Sequence, residues 1–586
     1  MFNKYYQEEL AFLREMGREF AEAYPAAAHM LAGPGADPDV ERLLEGTAFL
    51  TGRIRQKLDD EFPEITHSLM NLLFPNYLRP IPAMTMVQFE PVLESPRGRI
   101  VIPRGTEIDS TPVEGVNCRF RTSSDVVLYP LALTRAALET PAEKPARLVL
   151  KFSLPAGLTP ARIGLGDLRL YLRGENREGY QLYFWLSRQV KGWSISVQEE
   201  GRQIGALELP LSGLEAAGFE ENEALLPYPP AAFQGYRLLQ EYFSLPEKFL
   251  MIDLKGLSAA ARLPQAGEFE ISIELLARPE NPPRISADNI LLFCSPAVNL
   301  FPHQADPIRV DREKHEYPIR PSGGSPRGRE VYSIDRAAGF EPGTAKAREY
   351  KPFFSFRTGS DPAGPGCYYQ TRLGNHPVGD GIETRLSFVD AFQRTAFPPT
   401  EIISLDLTCT NGRLPEKLRA GDLKLPTSEA AGFARFKNVG RITRSAPPPL
   451  GKNMAWRLIS HWSLNYLSMT KVESLRTILA LYNFHALFDR QAAQENELRM
   501  QGLLRAEAKP EERFYLGRPV RGLSLELEVQ EGNFAGEGDI FLFGRVLREF
   551  LALYATMNSF VRLTIRGVEK RETYSWPARI GRRNLL

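Results

Sequence analysis

Histidine and cysteine are scarce in this chain of 586 residues, with seven of the first and four of the second. The cysteines, Cys118, Cys294, Cys367 and Cys409, stand far apart, which excludes a CxxC redox motif and a dense disulfide framework. His303 and His315 are the closest histidines and lack metal-ligand spacing; HExxH fails after His315 and Glu316 because Ile319 stands where the second histidine belongs. Neither sign of charge is in excess: 72 Lys and Arg against 71 Asp and Glu leave a formal +1. That balance excludes the electrostatic footprint of sequence-independent nucleic-acid binding, and the cluster Arg579, Arg582 and Arg583 reads as a solvated tail or docking segment. Nowhere do 18 apolar residues run uninterrupted, so a membrane-spanning helix is not expected. Glu8, Glu9, Glu15 and Glu19 interrupt any apolar segment of a signal peptide. These absences together point to a reducing cytoplasm.

Nucleotide and nucleophile motifs are missing too. No GxxxxGK[ST] phosphate loop occurs, and the nearest dinucleotide pattern, Gly164 and Gly166, has Arg169 in place of the third glycine. Ser325 lies in GGSPRG, where Arg327 replaces the closing glycine of a nucleophile elbow. No cofactor or metal is implied. A carboxylate pair for glycoside hydrolysis is assembled in space from any of 71 acids, so the residues leave a β-rich carbohydrate-active or glycan-binding protein open as the alternative to a structural one.

What is present is an ordinary globular mix, 43% hydrophobic and 24% charged, long enough for several domains. Tyr6, Leu10, Leu13, Gly17, Phe20 and Tyr24 recur at gaps of three and four and predict a helical stripe. Asp37 as N-cap and Pro38 at the first helical position open a second helix, with Val40, Leu43, Thr47, Leu50, Ile54 and Leu58 on one face. A third, shorter helix is expected between Pro63 and Pro75. These stripes, above all Tyr6, Leu10, Leu13, Phe20, Leu43, Leu50, Ile54 and Leu58, serve either packing within the chain or a partner interface.

From about residue 84 the period changes to two, and RIVIPRGTEID places Pro103 and Gly105 at positions i+1 and i+3 of a type I turn. Strand-like runs follow at 168–174, 193–197 and 269–277, with a helix inserted over 177–190. Between Pro318 and Gly366, 15 of 49 residues are Gly or Pro, so no long regular element is expected there. RSAPPPLGKN (444–453) reads as a linker. Helical periodicity returns at Val472, Leu475, Leu479 and Tyr482. The chain then finishes as strand, helix and strand, the helix carrying Phe543, Leu547, Phe550 and Tyr554 as an internal face or a face that docks a neighbouring copy. The expected fold class is multidomain α+β, divided as a helical bundle segment (1–80), a β-rich domain with an inserted helix (81–300), Pro/Gly-rich loops and short strands (301–450) and a mixed α/β domain (451–586).

The opening YYQEELAFLREMGREFAEAYP, with DPDVERLLEG and RIRQKLDDEFPEITHSLMNLLFPNYLRPIPAM, resembles the N-terminal block of the TssF (ImpG/VasA) family of type VI secretion baseplate subunits. LPEKFLMIDLKGL, LLFCSPAVNLF, HWSLNYLS and FGRVLREFLALYATMNSF extend that resemblance through the chain. IPRGTEIDS with CRFRTSSDVVLYP is also similar, over a short span, to baseplate J-like wedge proteins of contractile phages. The resemblance implies a non-enzymatic wedge component whose partners are TssG, a second copy of the chain, TssK, TssE and the VgrG spike hub. It also implies assembly at the cytoplasmic face of the inner membrane, and a helical bundle at the centre of each wedge.

Overall fold

The structure, a computed structural model, describes residues 2–24, 38–59, 70–71, 74–92, 98–141, 145–173, 177–199, 202–229, 232–280, 282–310, 314–323, 328–340, 347–353, 368–375, 382–389, 401–427, 434–449, 471–515, 517–555 and 559–581. The chain opens with two 22-residue helices, α1 (Phe2–Ala23) and α2 (Pro38–Asp59), which pack against each other. Their buried residues, Leu10, Ala21 and Ala48, belong to neither of the two hydrophobic cores that organise the rest. Most of the helix expected between Pro63 and Pro75 (63–69 and 72–73) lies outside the described residues, and Pro75–Leu78 forms a single 3-10 turn.

The first core is built on antiparallel sheets, as the period-two pattern requires. A six-stranded sheet joins Met84–Pro91, Glu107–Ser110, Arg119–Thr122, Cys294–Val298, Leu423–Pro426 and Ala434–Asn438. Met84–Pro91 lies between strands more than 200 residues downstream, pairing Met84 with Val298 on one side and Val87 with Asn438 on the other. A five-stranded sheet and a four-stranded sheet complete this region, and α3 (Glu178–Arg188) falls within the segment where the sequence places a helix. The turn after Ile100–Ile102 differs in detail from the expected one. Thr106 N–H donates to Pro103 C=O at 3.2 Å, and Gly105 has φ +83°. Pro103 is therefore position i and Gly105 the third residue, where a positive φ demands glycine.

The second core belongs to an eight-stranded sheet over residues 301–410. Here the expectation of short, irregular structure fails: Glu330–Phe340 is an 11-residue strand paired antiparallel with the ten-residue strand Glu401–Thr410. The Gly and Pro residues cluster at 318–328, 339–343 and 352–366, and EVYSIDRAAGF between the first two clusters has enough β-branched and aromatic residues to extend. The sheet leaves the first core and returns to it at one place. Asn299 Nδ2 donates to Asn411 Oδ1 at 2.7 Å, and Asn411 N–H donates back to Asn299 Oδ1 at 2.7 Å.

The segment read as a linker is a tie. Ala446 is fully buried and pairs with Ile81 through reciprocal backbone bonds of 2.7 and 2.9 Å, because Ala446 is small enough to enter the core there. Residues 450–453 of that segment, like HWSLNYLS (461–468), lie outside the described residues.

Four more helices follow among the described residues: α4 (Gln234–Ser244), α5 (Val472–Tyr482), α6 (Arg490–Gln501) and α7 (Glu537–Tyr554). Arg518–Val529 and Ser559–Gly567 pair in parallel, from Arg521 with Ser559 to Val529 with Gly567. Parallel neighbours need a crossover, and α7 supplies it. Gly538 lets α7 approach α3 closely, since a Cβ there would lie 2.1 Å from Tyr180 C=O.

Candidate assembly site

Both helices of the N-terminal pair are apolar on more than one side. In α1, Tyr6, Leu10, Leu13 and Gly17 turn inward or partly inward, with Leu10 and Ala21 buried. In α2 the inward side is Val40, Leu44, Ala48, Thr51 and Gly52. Gly52 marks the closest approach, where a Cβ would come within 3.2 Å of Tyr6 N. Arg55 donates to Glu9 at 2.8 Å and Arg14 pairs with Glu41, so ion pairs flank the contact. Exposed pairs of this kind contribute at most about 1 kcal/mol each; the close helix contact sets the geometry.

The outward side is the unusual one. Phe12, Met16, Phe20 and Tyr24 follow one another at intervals of four along α1, and the Phe20 and Tyr24 rings lie 4.6 Å apart. Leu43, Phe49, Leu50 and Ile54 are exposed on α2, Leu43 at 70% and Ile54 at 61%. Eight large apolar side chains on one helical hairpin far exceed the scattered exposed residues normal for a surface. The sequence-read stripes therefore split. Tyr6, Leu10 and Leu13 hold α1 to α2, whereas Phe20, Leu43, Leu50 and Ile54 face outward; the side chain of Leu58 lies outside the described residues. Phe12, Met16 and Phe49 lie off the stripes that the sequence predicts, although the 12–16–20–24 interval of four is legible in it.

The C-terminal aromatic face has the opposite fate. Phe543, Leu547 and Phe550 are fully buried. Phe543 packs between Tyr242 and Phe534, at 6.1 and 5.7 Å, and Phe550 packs on Phe233 at 6.0 Å. Tyr554 stacks on Phe233 at 4.3 Å. This face packs α7 against α4 within the chain, with Phe543, Leu547 and Phe550 buried there and Tyr554 partly exposed at its end.

Catalytic chemistry finds no counterpart to this surface. Among the described residues, no three His, Cys, Asp or Glu side chains are grouped to hold a metal. Burial pushes the Cys118 thiol up to about 11 and Cys409 to about 12, and raises Cys294 as well, so these thiols stay protonated. The most deeply buried ionic group is structural. Glu241 pairs with Lys248 and with Arg237 at 3.3 Å, and accepts the Leu225 and Leu226 N–H groups at 2.9 and 3.0 Å. Burial alone would raise the Glu241 carboxyl; Lys248, Arg237 and the amides hold it below the usual carboxylate range. A crevice between the two cores is lined by Arg79, Glu330 and Tyr332, with the Arg79 guanidinium 5.3 Å from the Tyr332 ring centre. No helix among the described residues is long and apolar enough to cross a membrane.

A large multidomain chain that leaves an apolar hairpin uncovered beside a well-packed interior is built as a component of an assembly. The type VI secretion system TssF family profile matches residues 1–583, and the chain belongs to that family. It is 33% identical to the type VI secretion system component TssF1 of Pseudomonas aeruginosa, over 99% of this chain and 98% of the relative. Its fold is similar to a chain of a type VI secretion TssK–TssF–TssG baseplate subcomplex seen by cryo-electron microscopy, with a TM-score of 0.75 and 31% identity over 93% of this chain and 99% of the other. A chain of the type VI secretion baseplate complex matches with a TM-score of 0.67 and 31% identity over the full length of both. Family membership displaces the glycan-binding alternative.

Proposed function

We propose that this chain is a structural subunit of a type VI secretion baseplate wedge, with no catalytic role, and that the α1–α2 hairpin is where it joins its partners. The observation that carries the reading is the outward row Phe12, Met16, Phe20, Leu43, Leu50 and Ile54 in a chain whose fold is similar to a component of a TssK–TssF–TssG subcomplex. Such a row becomes favourable when helices of other chains cover it; each fully buried Leu, Ile, Phe or Met contributes about 1.5–3 kcal/mol. The covering helices come from TssG and a second copy of the chain, which together form a bundle. TssK then attaches the wedge to the membrane complex, TssE links it to the sheath, and wedges surround the VgrG spike at the cytoplasmic face of the inner membrane. The helical pair is the assembly unit, and the two cores behind it form the rigid body of the platform.

The test is co-expression with the neighbouring TssG and TssK subunits, followed by mass measurement of the purified assembly. The double variant Leu43→Asp, Leu50→Asp should lose TssG while the isolated chain keeps its far-ultraviolet spectrum and melting temperature. A complete wedge formed by that variant overturns the hairpin as the joint. Failure of the wild-type chain to bind either subunit overturns the wedge assignment itself.

A further inference from the structure

Where α3 and α7 cross, positive charge is collected beside hydrogen-bond donors that have no acceptor. Arg548 and Arg579 meet at one buried carboxylate, Glu549, to which Arg548 donates at 3.2 Å and Arg579 also donates, and Arg545 adds its positive charge beside Arg548. A second acid, Glu220, is 57% exposed and 4.0 Å from Arg579, so it stands at the rim. Three guanidiniums against one interior carboxylate leave an excess of two positive charges. The Arg548 and Arg579 side chains are 11% and 22% exposed, enough to open the cluster to solvent on the Arg579 side.

The neighbouring polar groups are all donors in waiting. Nε of Arg545 and Nε of Arg548 are buried and have no hydrogen-bond partner. The Tyr183 hydroxyl on α3 is fully buried, lies within the field of Arg545, Arg548 and Glu549, and is also without an acceptor. Ser187, one turn further along α3, places its own unpartnered hydroxyl beside Tyr183, outside hydrogen-bond geometry. Arg545 is fixed by its guanidinium lying 5.3 Å from the Phe219 ring centre. Burial, reinforced by Arg545 and Arg579 and opposed by Glu549, lowers Arg548 to about 10. Buried donors are almost always satisfied in folded proteins, so several gathered at one cationic spot need a common acceptor. An apolar ligand supplies none, and a cation is repelled.

We propose that Arg545, Arg548 and Arg579, with the hydroxyls of Tyr183 and Ser187, form a site for an oxyanion. Guanidinium groups match the paired oxygens of carboxylate and phosphate, and the two hydroxyls on α3 supply further donors across the helix crossing. In the baseplate reading above, on which the choice of source rests, the oxygens come from an Asp or Glu side chain of a partner subunit; free phosphate is the other source of the same chemistry. Seating an anion there ties α3 to α7 and to the C-terminal strand carrying Arg579.

The experiment measures the thermal unfolding of the full-length chain in sodium phosphate and in sodium chloride at equal ionic strength. The wild-type chain should show a saturable rise in melting temperature with phosphate beyond the chloride control. Arg548→Gln should lose that increment, and Tyr183→Phe should weaken it at least threefold in apparent affinity. If Arg548→Gln does not fold, Arg579→Gln at the rim takes its place. An unchanged phosphate increment in these variants, or no increment in the wild type, overturns the site. The assembled complex distinguishes the sources: an increment that vanishes on assembly identifies a partner carboxylate in the site, and one that persists identifies free phosphate. Because the isolated chain alone decides whether the site exists, that result stands or falls separately from the wedge assignment.

Discussion

The hydroxyls of Tyr236 and Tyr554 meet at 2.8 Å, although 318 residues separate them. The contact joins α4 to the end of α7, and the Tyr236 ring also stacks on Tyr482 of α5 at 4.5 Å. Three helices from distant parts of the sequence are thus fastened at one aromatic node. Tyr554→Phe keeps the ring and removes one hydroxyl, so the expected loss is about 0.5–1.5 kcal/mol, measured as a shift in the urea midpoint without a change in slope.

Phe550 and Leu50 should respond in opposite ways. Phe550 is fully buried between α7 and α4, and Phe550→Ala should cost about 3–5 kcal/mol through lost burial and the cavity left behind. Leu50 is 64% exposed, and Leu50→Ala should change the stability of the isolated chain by no more than about 0.5 kcal/mol. Equal losses in urea unfolding would contradict the assignment of one residue to the interior and the other to a surface.

Acid should weaken the chain before ordinary carboxylates protonate. His485 is 3% exposed, and burial lowers it from 6.5 to about 4 despite the opposing pull of Asp489. The unfolded chain therefore binds a proton that the folded chain refuses. Stability is full above about pH 6.5 and declines as pH falls towards 4, by about 3 kcal/mol from this group. Glu241, held below its ordinary value, adds a loss of the same sign at still lower pH as it protonates. His485→Gln should flatten the decline between pH 6.5 and 4 in denaturant titrations.

Gly538→Ala tests the helix crossing itself. Its added methyl would meet the backbone carbonyl of Tyr180 at 2.1 Å, where no flexible side chain can give way. Overpacking of this kind costs about 1–3 kcal/mol, read as a lower urea midpoint; a neutral result would show that α3 and α7 slide apart freely.

The sequence made α3 legible because YQLYFWLSR combines a strong apolar face with helix-forming length, and it made the β region legible through strict alternation such as Phe120 and Thr122 inside with Arg119 and Arg121 between. Periodicity alone did not say which side of α2 was inward. Leu43, Leu50 and Ile54 form the more hydrophobic stripe, yet Ala48 and Gly52 face α1 because close helix approach selects small residues over large ones. The strand Glu330–Phe340 was hidden for another reason: its partner, Glu401–Thr410, is remote, and local Gly and Pro content outweighed a pairing that only tertiary structure supplies. Of the arginine cluster only Arg579 stood out in the sequence, as part of a basic run, since Tyr183, Arg548 and Arg579 are assembled from three elements.

The reciprocal amide bonds between Asn299 and Asn411 place the entrance and the exit of the eight-stranded sheet side by side. A unit attached in that way behaves like a cassette. Its two ends satisfy each other beside the host strand Cys294–Val298 and the turn at Leu414–Lys417, and a graft between them has to replace one further tie, the Tyr332 ring buried in the first core. Loop-closure cost grows only slowly with the length of what is spliced between fixed ends. Related chains are free, on this architecture, to lengthen, shorten or exchange the second core while keeping the first, and chain-length variation should concentrate between these two asparagines.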